Sequence, residues 1–288
     1  MIKKEDLIIM LTSDWLHQLP LPKIAAITLV AGGDINQAYQ LITVEGPVFL
    51  LVQPHTSAQF YHHEVAGLQA LGQAVNVPDV LATGEIEGDA YLVLEFLETG
   101  HGSQYDLGQA VARVHRVTAP RFGFDTDNLV DKLPKHNQWQ SDWTTFYLQQ
   151  RLDPLVRRAQ EQHLWTPQRQ AAYDQVRQRI ITENHGRFIQ PALLHGDLWS
   201  GNYLFTQDGT PTLIDPDVLY GDREFDLAMT TIFGGFTSDF YRGYQDSYPL
   251  TPGYADRLPH YQLYYLLAHL NLFGETYGDA VDNVLARG

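Results

Sequence analysis

The chain has no cysteine, few basic residues and no long apolar run. The lack of cysteine excludes disulfide bonds, thiolate metal ligands and a cysteine nucleophile. The 19 Lys and Arg residues stand against 34 Asp and Glu, for a net charge of -15. Nucleic-acid surfaces and anionic membranes select basic segments, so we expect neither as a partner. No stretch approaches the ~20 apolar residues of a membrane helix, and the start has no apolar signal core, which predicts a cytoplasmic protein.

The pattern of apolar residues changes near residue 100. Before it, the sequence favours strands and one helix, at 27–30, 38–44, 48–52, 57–71, 79–82 and 90–96. After it, amphipathic helical stretches dominate, interrupted by short strand-like runs between 192 and 214. We therefore predict an α+β fold of two lobes: a small β-rich lobe over 1–97, a glycine-containing linker over 98–103, and a larger, mainly helical lobe over 104–288.

Three oxygen-bearing side chains follow strand-like runs in the second lobe. Asp197 precedes Asn202 by five positions, and Asp215 comes after a predicted hairpin. A single Asp in such a turn is usually a helix cap or a turn former. Two carboxylates and an amide in this order, however, are typical of phosphoryl transfer, in which one carboxylate serves the acceptor hydroxyl and the other two groups hold Mg²⁺.

The string His-Gly-Asp-Leu-Trp-Ser-Gly-Asn at 195–202 resembles the catalytic loop of the fructosamine (ketosamine) kinases, which are similar to aminoglycoside phosphotransferases. Supporting passages lie at 122–152, 220–230 and 269–274, and the similarity runs from about residue 32 to 277. The eight-residue string is specific, whereas the helical passages only support it. The resemblance implies a protein-kinase-like fold and ATP with Mg²⁺ as cofactors.

The resemblance also implies roles for single residues in the second lobe. Asp197 is the expected catalytic base, and Asn202 and Asp215 are the expected metal ligands. Asp226 would be buried and hold the backbone of the catalytic loop. His195 is expected to support the loop rather than react, as an isolated histidine usually does.

In the first lobe, the resemblance assigns nucleotide contacts to five residues. These are Gly32, Gly33, Asn36, Glu64 and Glu95. The Gly-Gly pair would by itself be equally typical of an ordinary hairpin, and a helical Glu by itself equally typical of a solvated surface residue. The family match is what favours the glycine-containing phosphate loop and, for Glu64, the partner of an ATP-binding lysine.

The chain departs from the family pattern at two positions. Leu51 stands where relatives have the ATP-binding lysine, and no Lys or Arg occurs from Ile24 through Ala112. Asp217 stands where the family usually has alanine; an extra metal ligand and a solvent-facing residue are both possible, and the second is favoured. The lost charge-assisted contact corresponds to about 1.5–3 kcal/mol, or roughly tenfold to a hundredfold.

Two classes of function therefore stay open. The first is an active small-molecule kinase whose acceptor is a ketosamine, an amino sugar or an amino alcohol. The second is a catalytically weak or inactive relative that binds nucleotide or a small ligand. The complete set of groups in the second lobe favours the kinase. The aromatic residues Trp199, Tyr220, Phe233 and Phe236 are as consistent with core packing as with an acceptor pocket, and the oligomeric state is not predicted.

Overall fold

The computed structural model describes residues 11–30, 36–130 and 133–287. The amino-terminal part contains an antiparallel sheet in the order β1-β2-β3-β5-β4. Its elements are α1 Ser13–His17, β1 Ile24–Leu29, β2 Gln37–Thr43, β3 Gly46–Gln53, α2 His62–Leu71, β4 Val80–Ile86 and β5 Asp89–Glu95. The rest is mainly helical, which confirms the predicted α+β class with a β-rich small lobe and a helical large lobe. The lobe limits at 1–97, 98–103 and 104–288 stay a prediction.

The two helices of the small lobe pack on opposite faces of the sheet, because alternate residues of a strand point to opposite sides. Leu50 is buried in the cluster that contains Trp15 of α1. The next residue, Leu51, faces the other way and packs in the cluster of Tyr61 and Leu68 of α2 and its preceding 3₁₀ turn. Position 51 is therefore occupied by an apolar side chain on the α2 side of the sheet.

The large lobe is built from eight helices and three short strand pairs among the described residues. These elements are α3 Gln104–Val114, β6 Asn128–Val130, β7 Leu133–Lys135, α4 Trp143–Tyr147, α5 Asp153–Glu161, α6 Pro167–Asn184, β8 Ala192–Leu194, β9 Tyr203–Phe205, β10 Pro211–Leu213, β11 Leu219–Gly221, α7 Glu224–Met229, α8 Ser238–Ser247, α9 Tyr254–Phe273 and α10 Gly278–Arg287. A π-helical turn joins α4 to α5. No described helix is both long and apolar enough to cross a lipid bilayer.

Strand pairing brings the two predicted catalytic turns to one place. β8 and β11 are antiparallel, with Leu194 opposite Leu219. The loop that follows β8 and the loop that precedes β11 must therefore lie side by side. β9 and β10 form the hairpin between those two loops. Residues 195–202 and 214–218 thus share one edge of the large lobe.

Helix α2 of the small lobe packs directly on the second of these loops. A Cβ atom at Gly67 would lie 3.0 Å from a side-chain carbon of Pro216 and 3.2 Å from one of Val218. Nearby, Asn76 Nδ2 donates a hydrogen bond to Thr212 Oγ1 at 2.8 Å. Glycine at position 67 is what permits this close approach, so the small lobe covers the segment that carries Asp215.

Candidate active site

The three residues that the motif spacing singled out lie together. Asn202 Nδ2 donates to the Asp197 carboxylate at 3.0 Å, to the Asp197 carbonyl at 2.9 Å and to the Asp215 carbonyl at 3.4 Å. These bonds fix the orientation of the amide and leave its oxygen as the atom that can bind a cation. Asp197 is half-buried, whereas Asn202 is buried.

Asp226 fixes the backbone of the loop from beneath. Its carboxylate is fully buried and accepts hydrogen bonds from the backbone N–H groups of His195 at 2.7 Å and Gly196 at 2.9 Å. His115 Nε2 lies 3.1 Å from the same carboxylate, and His115 Nδ1 contacts the Tyr244 hydroxyl at 2.8 Å. A buried carboxylate that is hydrogen-bonded on all sides stays in place, and so does the loop it holds.

His195 is a structural residue of the loop. Its Nδ1 accepts from the Asp197 backbone N–H at 3.3 Å, which leaves Nε2 as the donor to the Ile214 carbonyl at 3.0 Å. Burial lowers the pKa of this imidazole, so the ring is neutral at pH 7. Both nitrogens are engaged, and the ring ties the Asp197 loop to the strand that precedes Asp215.

Two tight backbone turns set the direction of the carboxylates. Gly196 has a φ of +83°, and a Cβ atom there would lie 1.8 Å from the Asp217 carbonyl oxygen, so only glycine fits. Asp215 has a φ of 52°, in the left-handed region that non-glycine residues seldom adopt. Such conformations persist where surrounding contacts enforce them, and they often mark functional sites.

The carboxylates in the cleft repel one another. Burial, together with Asp215 and Asp217, raises the pKa of Asp197 to about 7, although Lys135 and the bond from Asn202 oppose the change. Burial and Asp217 likewise raise the pKa of Asp215, against His195 and Lys135. The site therefore holds more negative charge than it can stabilise by itself, which is the condition that a bound cation relieves.

The donor set fits Mg²⁺ bound together with a triphosphate. The described residues contain no group of three or more His, Asp or Glu side chains arranged to hold a metal. Asp215 and the Asn202 oxygen supply two hard oxygen donors. Mg²⁺ is usually held by one or two protein oxygens, with water and phosphate oxygens completing its octahedron. Two protein ligands are therefore sufficient when the nucleotide brings the others.

On the small-lobe side, Glu64 faces the cleft without a cation. Among the described residues it forms no ion pair, and burial together with Asp215 raises its pKa. Leu51 is half-buried with the apolar residues around α2. The position at which the resemblance predicts a lysine partner for Glu64 thus holds a hydrocarbon side chain.

The predicted phosphate loop is only partly described. Gly32 and Gly33 lie outside the described residues. Asn36, just before β2, accepts a hydrogen bond on Oδ1 from the Tyr61 hydroxyl at 3.2 Å. Because Tyr61 immediately precedes α2, this bond links the end of the predicted loop to the helix that carries Glu64.

Glu95 closes β5 at the start of the linker. Its side chain is exposed and accepts a bond from the Asp79 backbone N–H at 3.3 Å. The linker then lies against the β9–β10 hairpin, where the Gly100 N–H donates to the Phe205 carbonyl at 2.7 Å. The exposed carboxylate is thus bonded to Asp79, and a nucleotide contact at Glu95 stays a prediction.

The expectation that Asp217 faces solvent is wrong. The residue is buried at 9% exposure, pairs with Lys135, and accepts from Asn128 Nδ2 at 2.8 Å. His63 Nε2 lies 3.4 Å from the same carboxylate oxygen that accepts from Asn128. Burial opposes ionisation, but Lys135 and His63 hold the pKa of Asp217 well below its usual range. Sequence reasoning missed these partners because they come from β6, β7 and α2, far away along the chain.

Two of the four candidate acceptor-side aromatics are exposed. Trp199 and Phe233 are each 39% exposed, and the Phe233 ring packs on His269 with centroids 4.9 Å apart. Tyr220 instead stacks among neighbouring aromatic rings, and Phe236 packs against Tyr203 and Phe240. Trp199 and Phe233 can therefore contact a ligand beside the catalytic loop, whereas Phe236 serves the core.

Comparison with known sequences agrees with the resemblance of residues 195–202 to a kinase catalytic loop. The model of the fructosamine kinase family matches residues 9–287. A protein of Lactiplantibacillus plantarum named as a probable ketoamine kinase is 59% identical over 275 residues, covering 96% of this chain and 98% of the relative. The chloroplastic protein-ribulosamine 3-kinase of Arabidopsis thaliana is 33% identical over 270 residues, covering 91% and 82%.

Comparison with solved structures supports the same fold. The crystal structure of a Thermobifida fusca protein assigned as a fructosamine-3-kinase superposes with a TM-score of 0.83 at 29% identity, covering 92% of this chain and 94% of the other. The aminoglycoside phosphotransferase APH(4)-Ia superposes with a TM-score of 0.61 at 17% identity, covering 92% and 95%. The second match shows the fold alone, which is the predicted two-lobed kinase-like fold.

Proposed function

Because the chain belongs to the fructosamine kinase family, we propose that it transfers the γ-phosphoryl group of ATP to a sugar hydroxyl of a ketoamine. The observation that carries this proposal is the convergence of Asp197, Asn202 and Asp215 on one edge of the large lobe. A ketoamine is a sugar joined to an amine, so the reaction is a deglycation step if the amine belongs to a protein. Because the proposed reaction consumes ATP, we place it in the cytoplasm.

Asp197 is the base in this reaction. The acceptor hydroxyl oxygen attacks the γ-phosphorus, the bond from that phosphorus to the β,γ-bridging oxygen breaks, and ADP leaves. The hydroxyl proton passes to the Asp197 carboxylate, which Asn202 Nδ2 holds in position at 3.0 Å. A carboxylate with a raised pKa is a better proton acceptor than an ordinary one at neutral pH, which supports this role.

Asn202 and Asp215 are the residues that would hold Mg²⁺. When bound, the ion would supply positive charge beside the transferring phosphoryl group. Asn202 offers its side-chain oxygen because its amide nitrogen is engaged in three hydrogen bonds. Asp215 offers a carboxylate held by its unusual backbone conformation. Asp226 and His195 keep both loops in place.

The acceptor binds beside the exposed aromatic residues of the large lobe. Trp199 follows Asp197 by two positions, and its ring lies over Gly201, where a Cβ atom would lie 2.3 Å from it. A sugar ring presents apolar C–H faces that stack on such rings, while its hydroxyl groups point toward polar partners. Trp199 and Phe233 are therefore the proposed contacts that orient the acceptor toward Asp197.

The second candidate is a weak or inactive relative, and Leu51 is the observation that favours it. The test is a panel of acceptors with Mg-ATP: fructosyl-lysine, ribulosyl-lysine, an aminoglycoside and choline, with products identified by ³¹P NMR. We expect phosphorylated ketoamine from the wild type and none from Asp197→Ala. Product from the aminoglycoside or choline alone would replace the acceptor class. Mg-ATP binding without any product would favour the inactive relative.

A further inference from the structure

We propose that His63, Asn128, Lys135 and Asp217, here called the Asp217 cluster, anchor α2 and supply the positive charge beside Asp197 and Asp215. The first is a task that the small-lobe lysine performs in protein kinases, and the second places a cation in a cleft to which residues 24–112 contribute no Lys or Arg. The inference rests on the proposed kinase function for its catalytic part, whereas the anchoring part concerns the protein without substrate.

The described part of the small lobe supplies neither a lysine that would anchor α2 nor a lysine that would offset the carboxylates of the cleft. In protein kinases, a lysine on the third strand contacts the phosphates and pairs with a glutamate on the following helix, which fixes that helix in its active position. In this chain the strand residue is Leu51, and the described residues give Glu64 no ion pair. Helix α2 therefore needs another anchor, and the carboxylates need another cation.

The anchor comes from the large lobe. His63, on α2 next to Glu64, is 2% exposed. Its Nδ1 contacts Thr126 Oγ1 at 2.8 Å, and its Nε2 lies 3.4 Å from an Asp217 carboxylate oxygen without the alignment of a hydrogen bond. The helix also packs closely on residues 216–218 through Gly67. Polar and steric contacts thus hold α2 against the metal-binding segment.

The cation also comes from the large lobe. Lys135, at the end of β7, pairs with Asp217, and its side chain is 15% exposed. Its ammonium lies 5.9 Å from the centre of the Tyr264 ring. Asp217 follows Asp215 by two positions, and its carbonyl oxygen lies against Gly196, so the pair places this positive charge beside the segments that carry Asp197 and Asp215. Lys135 is therefore a positioning residue that acts on the catalytic carboxylates through space and through Asp217.

Asp217 connects this pair to the catalytic loop. Its backbone N–H donates to the His195 carbonyl at 2.8 Å, and its carbonyl oxygen touches Gly196, the residue before Asp197. Loss of one member of a buried pair leaves an uncompensated charge, whereas neutral replacement of both members is often harmless to stability. Comparing the single variant with the double variant therefore separates the effect of the Lys135 charge on catalysis from its effect on stability through pairing with Asp217.

The first experiment tests the anchor without substrate. Hydrogen exchange of the α2 backbone amides is measured in the full chain for wild type, His63→Leu and Asp217→Asn. We expect α2 to exchange at least about tenfold faster in both variants, which is about 1.4 kcal/mol of opening free energy. The matched control is His62→Leu, an exposed neighbour on the same helix. Unchanged exchange at α2 in both variants would overturn the anchoring role.

The second experiment tests the charge. We expect Lys135→Met to lower kcat about tenfold or more at saturating Mg-ATP and Lys135→Arg to stay within about threefold. Lys135→Met combined with Asp217→Asn should recover the melting temperature but not kcat. If the double variant recovered both the melting temperature and kcat, the catalytic role of Lys135 would be overturned. The double variant can still be assayed if Lys135→Met alone misfolds.

The control for the charge experiment is the exposed Lys23→Met, which should match wild type. The experiments also separate the two proposals. A wild type without ketoamine kinase activity would contradict the proposed function while leaving the exchange test valid. An active wild type with unaffected variants would contradict the Asp217 cluster alone.

Discussion

The two sides of the catalytic cleft differ in how completely they match a kinase. The large lobe presents Asp197, Asn202 and Asp215 in hydrogen-bonded positions, with Asp226 buried beneath them. The small lobe presents Glu64 and no lysine or arginine from residue 24 through 112. The groups proposed to take part in the chemistry thus lie on one side, whereas residues 24–112 on the other side offer a nucleotide no Lys or Arg.

This comparison leads us to expect that nucleotide binding depends on a metal ion. Glu64, Asp197, Asp215 and Asp217 bring four carboxyl groups to one region, and Lys135 alone among the described lysines acts on them. A triphosphate would meet strong repulsion in such a place. Mg²⁺ reverses the sign of the local field, so nucleotide binding should depend on the ion more than in a kinase that retains the small-lobe lysine.

The largest effect should follow from the catalytic base. Asp197→Asn preserves the shape of the side chain but cannot accept the hydroxyl proton, so we expect kcat to fall by about 10²–10⁴. The melting temperature should not fall, because burial and neighbouring carboxylates already disfavour the ionised group. The measurement pairs a coupled ADP assay with thermal unfolding. Full activity in the variant would remove Asp197 from this role.

The next largest effect should follow from the loss of Asp226, which holds the backbone of the Asp197 loop. Asp226→Ala leaves two backbone N–H groups and His115 without their acceptor in the core, at roughly 1–3 kcal/mol for each group. We expect the free energy of unfolding in urea to fall by about 3 kcal/mol or more. The exposed Asp239→Ala should change it by less than about 0.5 kcal/mol. Equal effects of the two variants would contradict this role.

The sequence predicted one side of the cleft better than the other. The spacing of Asp197, Asn202 and Asp215 predicted their convergence, because short strands and turns fix local geometry. The surroundings of Asp217 could not be predicted, since Lys135 lies on a hairpin whose position depends on tertiary packing. No periodicity or motif reports a contact between residues so far apart along the chain.

A third prediction addresses the metal ligand. Asp215→Asn weakens the hold on Mg²⁺, so the Mg²⁺ concentration for half-maximal activity should rise by about tenfold or more. The same change removes a charge that raises the pKa of Glu64, so the protein without nucleotide should melt at a slightly higher temperature. Mg²⁺ titration of activity and thermal unfolding measure the two effects. An unchanged Mg²⁺ requirement would exclude Asp215 as a ligand.

The smallest effect should come from placing a lysine at position 51. Leu51→Lys adds an ammonium on the α2 face near Glu64, which forms no ion pair among the described residues, so KM for Mg-ATP should fall by up to about tenfold. The matched control is Leu51→Met, which keeps the apolar packing and should leave KM unchanged. A KM for Mg-ATP that stays unchanged or rises in Leu51→Lys would contradict the expectation that a cation at this position assists nucleotide binding.

The most direct test of the central claim is a calorimetric titration of the wild type with ATP, first with Mg²⁺ and then with EDTA. If the metal at Asn202 and Asp215 holds the phosphates in place of a small-lobe lysine, removal of Mg²⁺ should weaken ATP binding by about a hundredfold or abolish it, about 2.7 kcal/mol or more. Equal affinity with and without Mg²⁺ would contradict the account, because a cation of the protein itself would then be holding the nucleotide.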